Sequence, residues 1–345
     1  MNTIPYDELF AYAEKLGFGE LHVKFDQATE LCAIIAIHST KRGPALGGCR
    51  CIEYATTADA IRDALRLARG MSYKAAISNL PLGGGKTVLM KPKNIANRNA
   101  YFEAFGRFVE DLGGRYITAM DSGTEVSDMD AIARSTRHVS TTSRGGDPGP
   151  FTALGVLRGI EAAAKHKWQR SELAGLTIAI QGVGHVGYSL ARDLHKLGVK
   201  LIVCDRNEAA VARCQEEFGA QAVAAEDIYS VECDIFAPCA LGAILNDQTI
   251  PLLKAKIVAG SANNQLAEPR HDVALWERDI LYAPDYAINA GGLIHALAEY
   301  QQSSMEEASK HINEIHDTLL TIFERSAQER KSTGEIADII AAERL

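Results

Sequence analysis

Three glycines in the second half of the chain have a spacing that could hold a phosphate group. Gly182, Gly184 and Gly187 form a GxGxxG pattern within QGVGHVG, between a strand-like apolar run and a helix-like run. The first glycine would permit a tight turn, the second would let a pyrophosphate approach the backbone, and the third would let the helix pack on the strand. The N-terminal end of that helix would favour the phosphates. The pattern predicts a dinucleotide-binding loop, with a purely structural glycine turn as the alternative.

The next strand-like run, KLIVCD, ends in an acidic residue. Asp205 stands at the distance from the glycines that is expected for an acid binding the ribose 2′-hydroxyl. A carboxylate there would repel a 2′-phosphate, so NAD is favoured over NADP. Arg206 beside it could help hold a 2′-phosphate and weakens that preference slightly. His185, inside the loop, is interpreted as a spacer or surface residue that contacts the cofactor and not as a catalyst.

A second candidate site lies in PLGGGKTVLM (81–90). Lys86 follows three glycines, which resembles the end of a P-loop, but that motif requires a glycine where Leu80 stands. The residues 88–90 predict a strand, whereas a P-loop requires a helix. Nucleoside triphosphate hydrolysis is therefore not expected. The glycines are interpreted as allowing the backbone and Lys86 to crowd around a small ligand.

The elements that must position these residues fall into two halves. The first half predicts strands at 21–25, 31–38 and 116–118 and helices at 57–71, 97–112 and 126–134. The segment 141–150 is rich in Gly, Pro, Ser and Thr and is interpreted as a hinge. The second half predicts a helix from 151, then helices alternating with strands at 176–182, 200–205, 233–238, 256–261 and 280–284. Their apolar runs are typical of parallel strands covered on both faces.

Two further helices are predicted at the C-terminal end. Ser304 and Glu307 form a capping-box pattern before one long helix with an apolar stripe from Ala308 to Ile322. A last helix begins near Ser332. The lysines that could do chemistry precede 141–150 and the glycine loop follows it, so catalysis is expected in a cleft that closes about 141–150 and 289–292.

Composition excludes several classes of protein. The 345 residues fit two domains, and a net charge of −8 gives no general attraction to nucleic acid or to anionic membranes. No apolar run is long enough to cross a bilayer, and the N-terminal segment does not read as a signal peptide. Seven scattered cysteines indicate reduced thiols in a cytoplasmic protein, and their spacing predicts no metal site.

The order of motifs along the chain resembles a known enzyme family, the leucine, phenylalanine and valine dehydrogenases, which are distant relatives of glutamate dehydrogenase. The resemblance rests on GPALGG (43–48), RGMSYKAA (69–76), LGGGKTV (82–88), RYITAMDSGT (115–124), QGVGHVG (181–187), APCALGAILN (237–246), AGSANNQL (259–266) and APDYAINAGG (283–292).

The resemblance implies an α/β fold of two domains. An N-terminal α/β substrate and oligomerisation domain (1–140, joined by the C-terminal helix, about 325–345) would precede a Rossmann-type doubly wound NAD-binding domain (141–324). The implied reaction is NAD-dependent oxidative deamination of a hydrophobic L-amino acid to its 2-oxo acid and ammonia, by a homo-oligomer of two or more subunits.

The resemblance also implies roles for individual residues. Lys74 would grip the substrate carboxylate with help from backbone at Gly47 and Gly48, Lys86 would activate water as a general base, and Asp121 would relay protons to the substrate nitrogen. Lys86 can act so only if its pKa falls, and burial and a neighbouring cation such as Lys74 would both lower it. The alternatives are that Lys86 is a solvated surface charge, that Asp121 caps the 126–134 helix, and that Lys74 closes the 57–71 helix.

The remaining implied contacts concern the substrate side chain and the cofactor. The side-chain pocket would be lined by Leu46, Ala119, Leu293 and Ala296, and Asn264 would lie near the substrate amine. Asn263 and Thr152 would contact the nicotinamide end, and further cofactor contacts would come from Val183, His185, Val186, Arg206, Cys239 and Ala240.

Branched-chain substrates are favoured over aromatic ones such as phenylalanine or tryptophan, although one methylene in an apolar pocket discriminates by only about 1–3 kcal/mol. Two other classes stay open as alternatives: a non-catalytic NAD-binding protein, and another NAD oxidoreductase such as a hydroxy-acid dehydrogenase. Lys74, Lys86 and Asp121 together argue against the first. No histidine stands in a His–acid motif of the second kind.

Overall fold

The computed structural model describes residues 6–345, which divide into two compact units. Unit 1 consists of the described residues up to Gly146 together with Ala296–Ser304 and Ala341–Leu345. Unit 2 consists of Asp147–His295 and Met305–Ile340. The chain first passes from one unit to the other inside the Gly-rich segment 141–150. No helix among residues 6–345 is long and apolar enough to cross a membrane.

Unit 1 is a five-stranded mixed sheet covered on both faces. Its strand order is β1-β2-β4-β3-β5, with β1 and β4 antiparallel to β2, and with β3 parallel to both β4 and β5. Ile34 and Ala36 of β2 pack with α2, whereas Ile35 and Ile37 pack with α3, because alternate residues of a strand face opposite sides. The elements are α1 (Tyr6–Lys15), β1 (Glu20–Asp26), β2 (Leu31–Ser39), β3 (Ala45–Ile52), α2 (Thr57–Ile77), β4 (Gly83–Met90), α3 (Arg98–Asp111), β5 (Tyr116–Met120) and α4 (Val126–Ala133).

The glycines before Lys86 are part of a strand. The predicted strand at 88–90 begins five residues earlier, at Gly83. A Cβ atom at Gly84 would lie 2.0 Å from the backbone nitrogen of Ser72, so β4 and α2 approach each other to backbone contact. Neighbouring protein atoms fill the space that side chains would take at Gly83, Gly84 and Gly85, so these glycines permit close packing within unit 1. That the backbone and Lys86 crowd around a small ligand here stays a prediction.

Unit 2 is a six-stranded parallel sheet in the order β8-β7-β6-β9-β10-β11. Counted along the chain this is the 3-2-1-4-5-6 order of the doubly wound nucleotide-binding fold, which confirms the predicted fold class. The predicted strands at 256–261 and 280–284 are only two residues long, and β8 was not predicted. The strands are β6 (Thr177–Gln181), β7 (Lys200–Cys204), β8 (Gln221–Ala222), β9 (Ile235–Pro238), β10 (Ile257–Val258) and β11 (Leu281–Tyr282).

The helices of this half follow the predicted alternation except between β9 and β10, where the only helix is a 3-10 turn at Ile250–Leu252. They are α5 (Gly149–Trp168), α6 (His185–Lys196), α7 (Glu208–Phe218), α8 (Arg270–Glu277), α9 (Asp285–Ile288), α10 (Gly291–Gln301), α11 (Met305–Asn313), α12 (Ile315–Glu329) and α13 (Thr333–Arg344). The single long helix expected after Ser304 is wrong, since α11 and α12 are separate helices. The chain tightens between them, where the backbone N–H of Glu314 donates to the carbonyl of His311, three residues back.

The C-terminal helix also differs from the prediction that 325–345 joins the first domain. α13 begins in unit 2, where the Thr333 hydroxyl donates to the Tyr282 carbonyl at 2.6 Å. Only Ala341–Leu345 belong to unit 1. There the Arg344 guanidinium donates to the carbonyls of Ala76 and Ile77, the last residues of α2.

A second segment that was predicted in the nucleotide domain also belongs to unit 1. The residues Ala296–Ser304 carry Glu299, whose carboxylate accepts hydrogen bonds from the backbone nitrogens of Thr141 and Thr142 at 2.6 and 3.0 Å. The Ser140 hydroxyl donates to the Ala296 carbonyl at 2.7 Å. These hydrogen bonds join 296–304 to the backbone at 140–142, near the end of the first segment of unit 1. The segment 296–304 therefore belongs to unit 1, although it directly follows a segment of unit 2 in the sequence.

Candidate active site

A buried ion pair lies at the centre of the candidate site in unit 1. Lys86 projects from β4, and its Nζ donates to Oδ2 of Asp121, the residue that follows the end of β5. Lys86 is only 6% exposed. Gly48 lies on β3, the strand between them, where a Cβ atom would be 2.7 Å from Asp121 Cβ and 3.1 Å from Lys86 Nζ. The pair therefore fits only because position 48 carries no side chain.

Local hydrogen bonds fix Asp121 in place. The Ser122 backbone N–H donates to its Oδ1 at 2.7 Å, and its own N–H donates to the Thr124 hydroxyl at 2.9 Å. The helix α4 is instead capped by Glu125, through a capping box with Asp128. The alternative that Asp121 caps this helix is wrong, which leaves its carboxylate for the contact with Lys86.

The environment perturbs both members of the pair. Burial lowers the pKa of Lys86, because the charged amine is removed from water, and the positive charge of Arg50 lowers it further. The Asp121 carboxylate acts in the opposite direction without cancelling the effect of burial. Burial alone would raise the pKa of Asp121, but the charge and hydrogen bond of Lys86 outweigh it, and the pKa is lowered. The site therefore contains an ionised acid beside an amine that loses its proton more readily than a solvated lysine.

Lys74 lies in the last turn of α2, which continues six residues beyond the predicted end at 71. It is half-buried, and a cation in this turn also interacts favourably with the C-terminal end of the helix. On β3, the carbonyl of Gly47 already accepts a hydrogen bond from the Tyr116 hydroxyl at 2.7 Å. Two of the apolar residues assigned to the pocket, Leu46 and Ala119, are buried on β3 and β5.

The glycine loop of unit 2 has the geometry that its sequence pattern requires. Gly182 has a φ of +93°, which a residue with a side chain rarely adopts. A Cβ at Gly187 would lie 1.9 Å from the Gly182 carbonyl oxygen, whereas a Cβ at Gly184 would meet no atom within 4 Å. The third glycine thus allows close packing, and the second leaves its backbone open to a ligand.

The end of β9 meets this loop at the point where the strand order of the sheet reverses. A Cβ at Gly182 would lie 2.6 Å from Ala240 Cβ, and one at Gly187 would lie 3.4 Å from Cys239 Cβ. Ligands of doubly wound sheets bind at this switch point, beyond the carboxyl ends of the strands. The structure therefore brings Cys239 and Ala240, predicted from a separate motif, to the glycine loop.

Asp205 has a structural contact that the sequence did not indicate. Its Oδ2 accepts from the Val183 backbone N–H at 2.8 Å, and its Oδ1 accepts from the Asn207 N–H at 2.9 Å. Each carboxylate oxygen has a second lone pair, so Asp205 can still accept hydrogen bonds from ribose hydroxyls. Arg206 is exposed, and His185 at the start of α6 is 86% exposed with Nδ1 3.4 Å from Asp147 Oδ2, which agrees with a surface position. Val186 follows it in α6 and is half-buried.

The remaining predicted residues lie on loops and on the helices α5 and α10. Asn263 is exposed and accepts from the Asn289 amide at 2.8 Å. Asn264 is exposed with a φ of +50°. Thr152 lies in the first turn of α5, with its hydroxyl donating to the Pro148 carbonyl at 3.1 Å. Leu293 and Ala296 are both buried on α10, Leu293 in unit 2 and Ala296 in unit 1.

One charged residue of the site was missed at the level of sequence. Arg50 lies two residues after Gly48 on β3, and its Nε is 3.6 Å from Asp121 Oδ2. Residues two apart on a strand face the same side, so a β3 prediction would have placed a cation beside the lysine site. The two glycines at the end of GPALGG, Gly47 and Gly48, concealed that strand. No group of three or more His, Cys, Asp or Glu within residues 6–345 could hold a metal ion.

Comparison with known proteins identifies the family of the chain. Residues 19–138 match the family model described as Glu/Leu/Phe/Val dehydrogenase, dimerisation domain, and residues 200–344 match the one described as Glutamate/Leucine/Phenylalanine/Valine dehydrogenase. The chain belongs to this family. It is an amino-acid dehydrogenase, an oxidoreductase that acts on a CH–NH2 group, and its family implies a nicotinamide cofactor.

Individual relatives differ in the amino acid that they are named for. The chain is 51% identical to leucine dehydrogenase of Geobacillus stearothermophilus over 98% of this chain and 93% of the relative. It is 43% identical to valine dehydrogenase of Streptomyces coelicolor, covering 100% and 97%. The crystal structure of L-tryptophan dehydrogenase from Nostoc punctiforme is similar, with a TM-score of 0.89 and 42% identity over 97% of this chain and 98% of that chain.

Proposed function

We propose that this chain catalyses the NAD-dependent oxidative deamination of a hydrophobic L-amino acid, leucine or another branched-chain amino acid, to its 2-oxo acid and ammonia. The observation that carries the proposal is the buried ion pair of Lys86 and Asp121 beside Gly48. A lysine whose pKa is lowered by burial can accept a proton from water, which an ordinary surface lysine does poorly near neutral pH.

The residues of unit 1 divide the work on the substrate. Lys74 binds the carboxylate and so fixes the Cα end. Lys86 in its neutral form takes a proton from the water that adds to the substrate carbon once that carbon has been oxidised. Asp121, ionised and hydrogen-bonded, passes protons to and from the substrate nitrogen, which leaves as ammonia. When bound, the nicotinamide supplies the hydride acceptor, and the protein supplies position and charge.

The residues of unit 2 fit a dinucleotide. Gly184 leaves its backbone open, and it is the N-terminal cap of α6 with no side-chain hydrogen bond there, so the free N–H groups of this helix suit a pyrophosphate. The Asp205 carboxylate suits a ribose 2′-hydroxyl and repels a 2′-phosphate, which supports NAD over NADP. Asn263 and Thr152 would contact the nicotinamide end, and Asn264 the substrate amine.

The preference for a branched-chain amino acid is supported by the 51% identity to a leucine dehydrogenase and by the apolar pair Leu46 and Ala119. An aromatic substrate is the second candidate, favoured by the TM-score of 0.89 to a tryptophan dehydrogenase. The test is an assay of a panel of amino acids, L-leucine, L-isoleucine, L-valine, L-phenylalanine and L-tryptophan, each with NAD. The rate is measured as the formation of NADH.

The expected result is the highest kcat/KM with a branched-chain amino acid and no NADH formation with lactate. A highest value with tryptophan or phenylalanine would support the second candidate. NAD binding without turnover of any amino acid would refute the proposed activity. Lys86→Ala serves as the control, since its background rate shows whether NADH formation depends on this site.

We also propose that the protein is a homo-oligomer of two or more subunits. β1 is the edge strand of the unit 1 sheet and exposes Leu21, Val23 and Phe25, the last of them 72% exposed. An exposed apolar edge strand favours pairing with another strand, and this region matches a family model described as a dimerisation domain. We propose that a second copy of the chain binds to this edge strand.

Light scattering should show a mass of at least a dimer for the native protein. Phe25→Asp should shift the mass toward that of a monomer. An unchanged mass in this variant would refute β1 as the subunit interface.

A further inference from the structure

Arg50 contacts the reactive pair but has a buried donor that is not used. Its side chain is 20% exposed, and its Nε is 3.6 Å from Asp121 Oδ2, just beyond hydrogen-bonding distance. Within residues 6–345 this Nε has no hydrogen-bond partner. A buried N–H without a partner is unfavourable by about 1–3 kcal/mol, so its direction toward Asp121 calls for an explanation.

The other end of the same guanidinium is firmly held. Its Nη1 donates to Asp63 Oδ2 at 2.8 Å, and the Tyr54 hydroxyl donates to the same oxygen at 2.7 Å. Arg66 donates to the other oxygen, Oδ1, at 2.9 Å. Burial alone would raise the pKa of Asp63, but these hydrogen bonds and charges outweigh burial and lower it. The pKa of Tyr54 is raised by burial and by its hydrogen bond to Asp63. Arg50 is thus anchored by an ionised acid on α2 while its Nε faces Asp121.

We propose that Arg50 is a positioning residue for the Lys86–Asp121 pair, providing Asp121 with an alternative hydrogen-bond donor when Lys86 turns to the substrate water. This inference rests on the proposed function of that pair. In the structure Oδ2 of Asp121 accepts from Lys86. Once Lys86 is neutral and bonded to water, a buried carboxylate would lose its strongest partner. A movement of a few tenths of an ångström closes the Arg50 contact and keeps Asp121 ionised and in place.

The charges around the pair determine what Arg50 does to the pH dependence. The pKa of Lys86 is raised by Asp121 and lowered by Arg50. Cys49 also lies near Lys86, but its thiol is neutral because burial raises its pKa well above its usual range. The pKa of Asp121 is lowered by Lys86, by Arg50 and by the hydrogen bond from the Ser122 N–H, which together outweigh burial. Removing the charge of Arg50 therefore makes protonated Lys86 more stable. Activity that requires neutral Lys86 should then appear only at higher pH.

The test compares Arg50→Gln with Arg50→Lys and with Arg66→Gln. The matched control Arg66→Gln removes another guanidinium from Asp63 but leaves the contact between Arg50 and Asp121 intact. Each variant is assayed with NAD and the best amino acid of the panel, as kcat and KM across pH, and its thermal unfolding is recorded. We expect Arg50→Gln to lower kcat at least tenfold near neutral pH, to change KM less, and to move the alkaline rise of kcat upward in pH.

Arg50→Lys retains the positive charge, so its kcat should rise at the same pH as in the native enzyme. Its maximal kcat should stay below the native value, since lysine lacks the guanidinium fork. Arg66→Gln should show the native profile. If Arg50→Gln fails to fold, Arg50→Gln with Asp63→Asn removes the stranded carboxylate and should show the same upward move. A native pH profile in the folded Arg50 variant, or the same move in Arg66→Gln, would overturn the role of Arg50. An inactive native enzyme would instead refute the proposed function.

Discussion

The glycine loop allows fold stability and nucleotide binding to be separated by two single-methyl substitutions. In Gly187→Ala the new Cβ would lie 1.9 Å from the Gly182 carbonyl oxygen, so backbone must move. Overpacking is unfavourable by about 1–3 kcal/mol, and a 1.9 Å contact with a backbone oxygen belongs at the upper end of that range. The better helix propensity of alanine offsets at most about 1 kcal/mol, which leaves a loss of about 2 kcal/mol. At roughly 2–4 °C for each kcal/mol in a domain of this size, the Tm of the unliganded protein should fall by several degrees.

In Gly184→Ala the new Cβ would meet no atom within 4 Å, and the φ of −70° is acceptable for alanine. The exchange of glycine for alanine at this N-cap is unfavourable by no more than about 1 kcal/mol, so the Tm should stay within about 2–4 °C of the native value. The methyl group would nevertheless occupy the space that a pyrophosphate needs. NAD should bind at least tenfold more weakly, which corresponds to about 1.4 kcal/mol.

Differential scanning calorimetry without ligand and isothermal titration with NAD measure the two effects separately. The expected pattern is a stable Gly184→Ala that binds NAD poorly and a Gly187→Ala that unfolds early. Native affinity for NAD in Gly184→Ala would show that the pyrophosphate does not approach this backbone. A native Tm in Gly187→Ala would show that the close contact with Gly182 does not stabilise the loop.

Three further substitutions test the roles of charged residues. Asp205→Asn keeps an acceptor for the Val183 N–H but removes the charge, so the preference for NAD over NADP in kcat/KM should narrow; equal use of both cofactors by the native enzyme would contradict the assignment. Neutral Lys86 is the proposed base, and burial lowers its pKa. The native rate of deamination should therefore rise with pH through that pKa, and Lys86→Ala should lose most of kcat while still binding NAD; a variant that retains its rate would exclude the general-base role. Lys74→Ala should raise KM for the amino acid strongly and affect NAD little, and amines without a carboxylate should be poor substrates of the native enzyme; rapid oxidation of isopentylamine would require another role for Lys74.

The nucleotide half of the chain was predictable because local signals and the fold agree there. The apolar run before Gly182 is a parallel strand, and the motif that contains Ala240 lies beside it because the carboxyl ends of parallel strands share one edge. The sequence could not show that β10 and β11 are two-residue strands. Strand length depends on hydrogen bonds to neighbours, and an apolar run continues beyond the last of them.

The first half was less predictable because its central strands contain glycine. β3 was not recognised and β4 was recognised only from Val88, since glycine has a low strand propensity. Tertiary packing overrides that propensity: at Gly84 and Gly48 the neighbours lie too close for any side chain. Without β3, the proximity of Arg50 to Asp121 could not be inferred. The roles of Lys86 and Asp121 came from the family resemblance, and the structure adds their contact and burial.

The discontinuity of unit 1 has a consequence for the order in which the protein can fold during synthesis. Glu299, which accepts from Thr141 and Thr142, and Arg344, which donates to the end of α2, both follow most of unit 2 in the chain. Domains generally fold as units as they leave the ribosome, the N-terminal one first. Here the unit that begins first is completed last, so the helix that carries Lys74 waits for its final partners until the nucleotide-binding unit has been made.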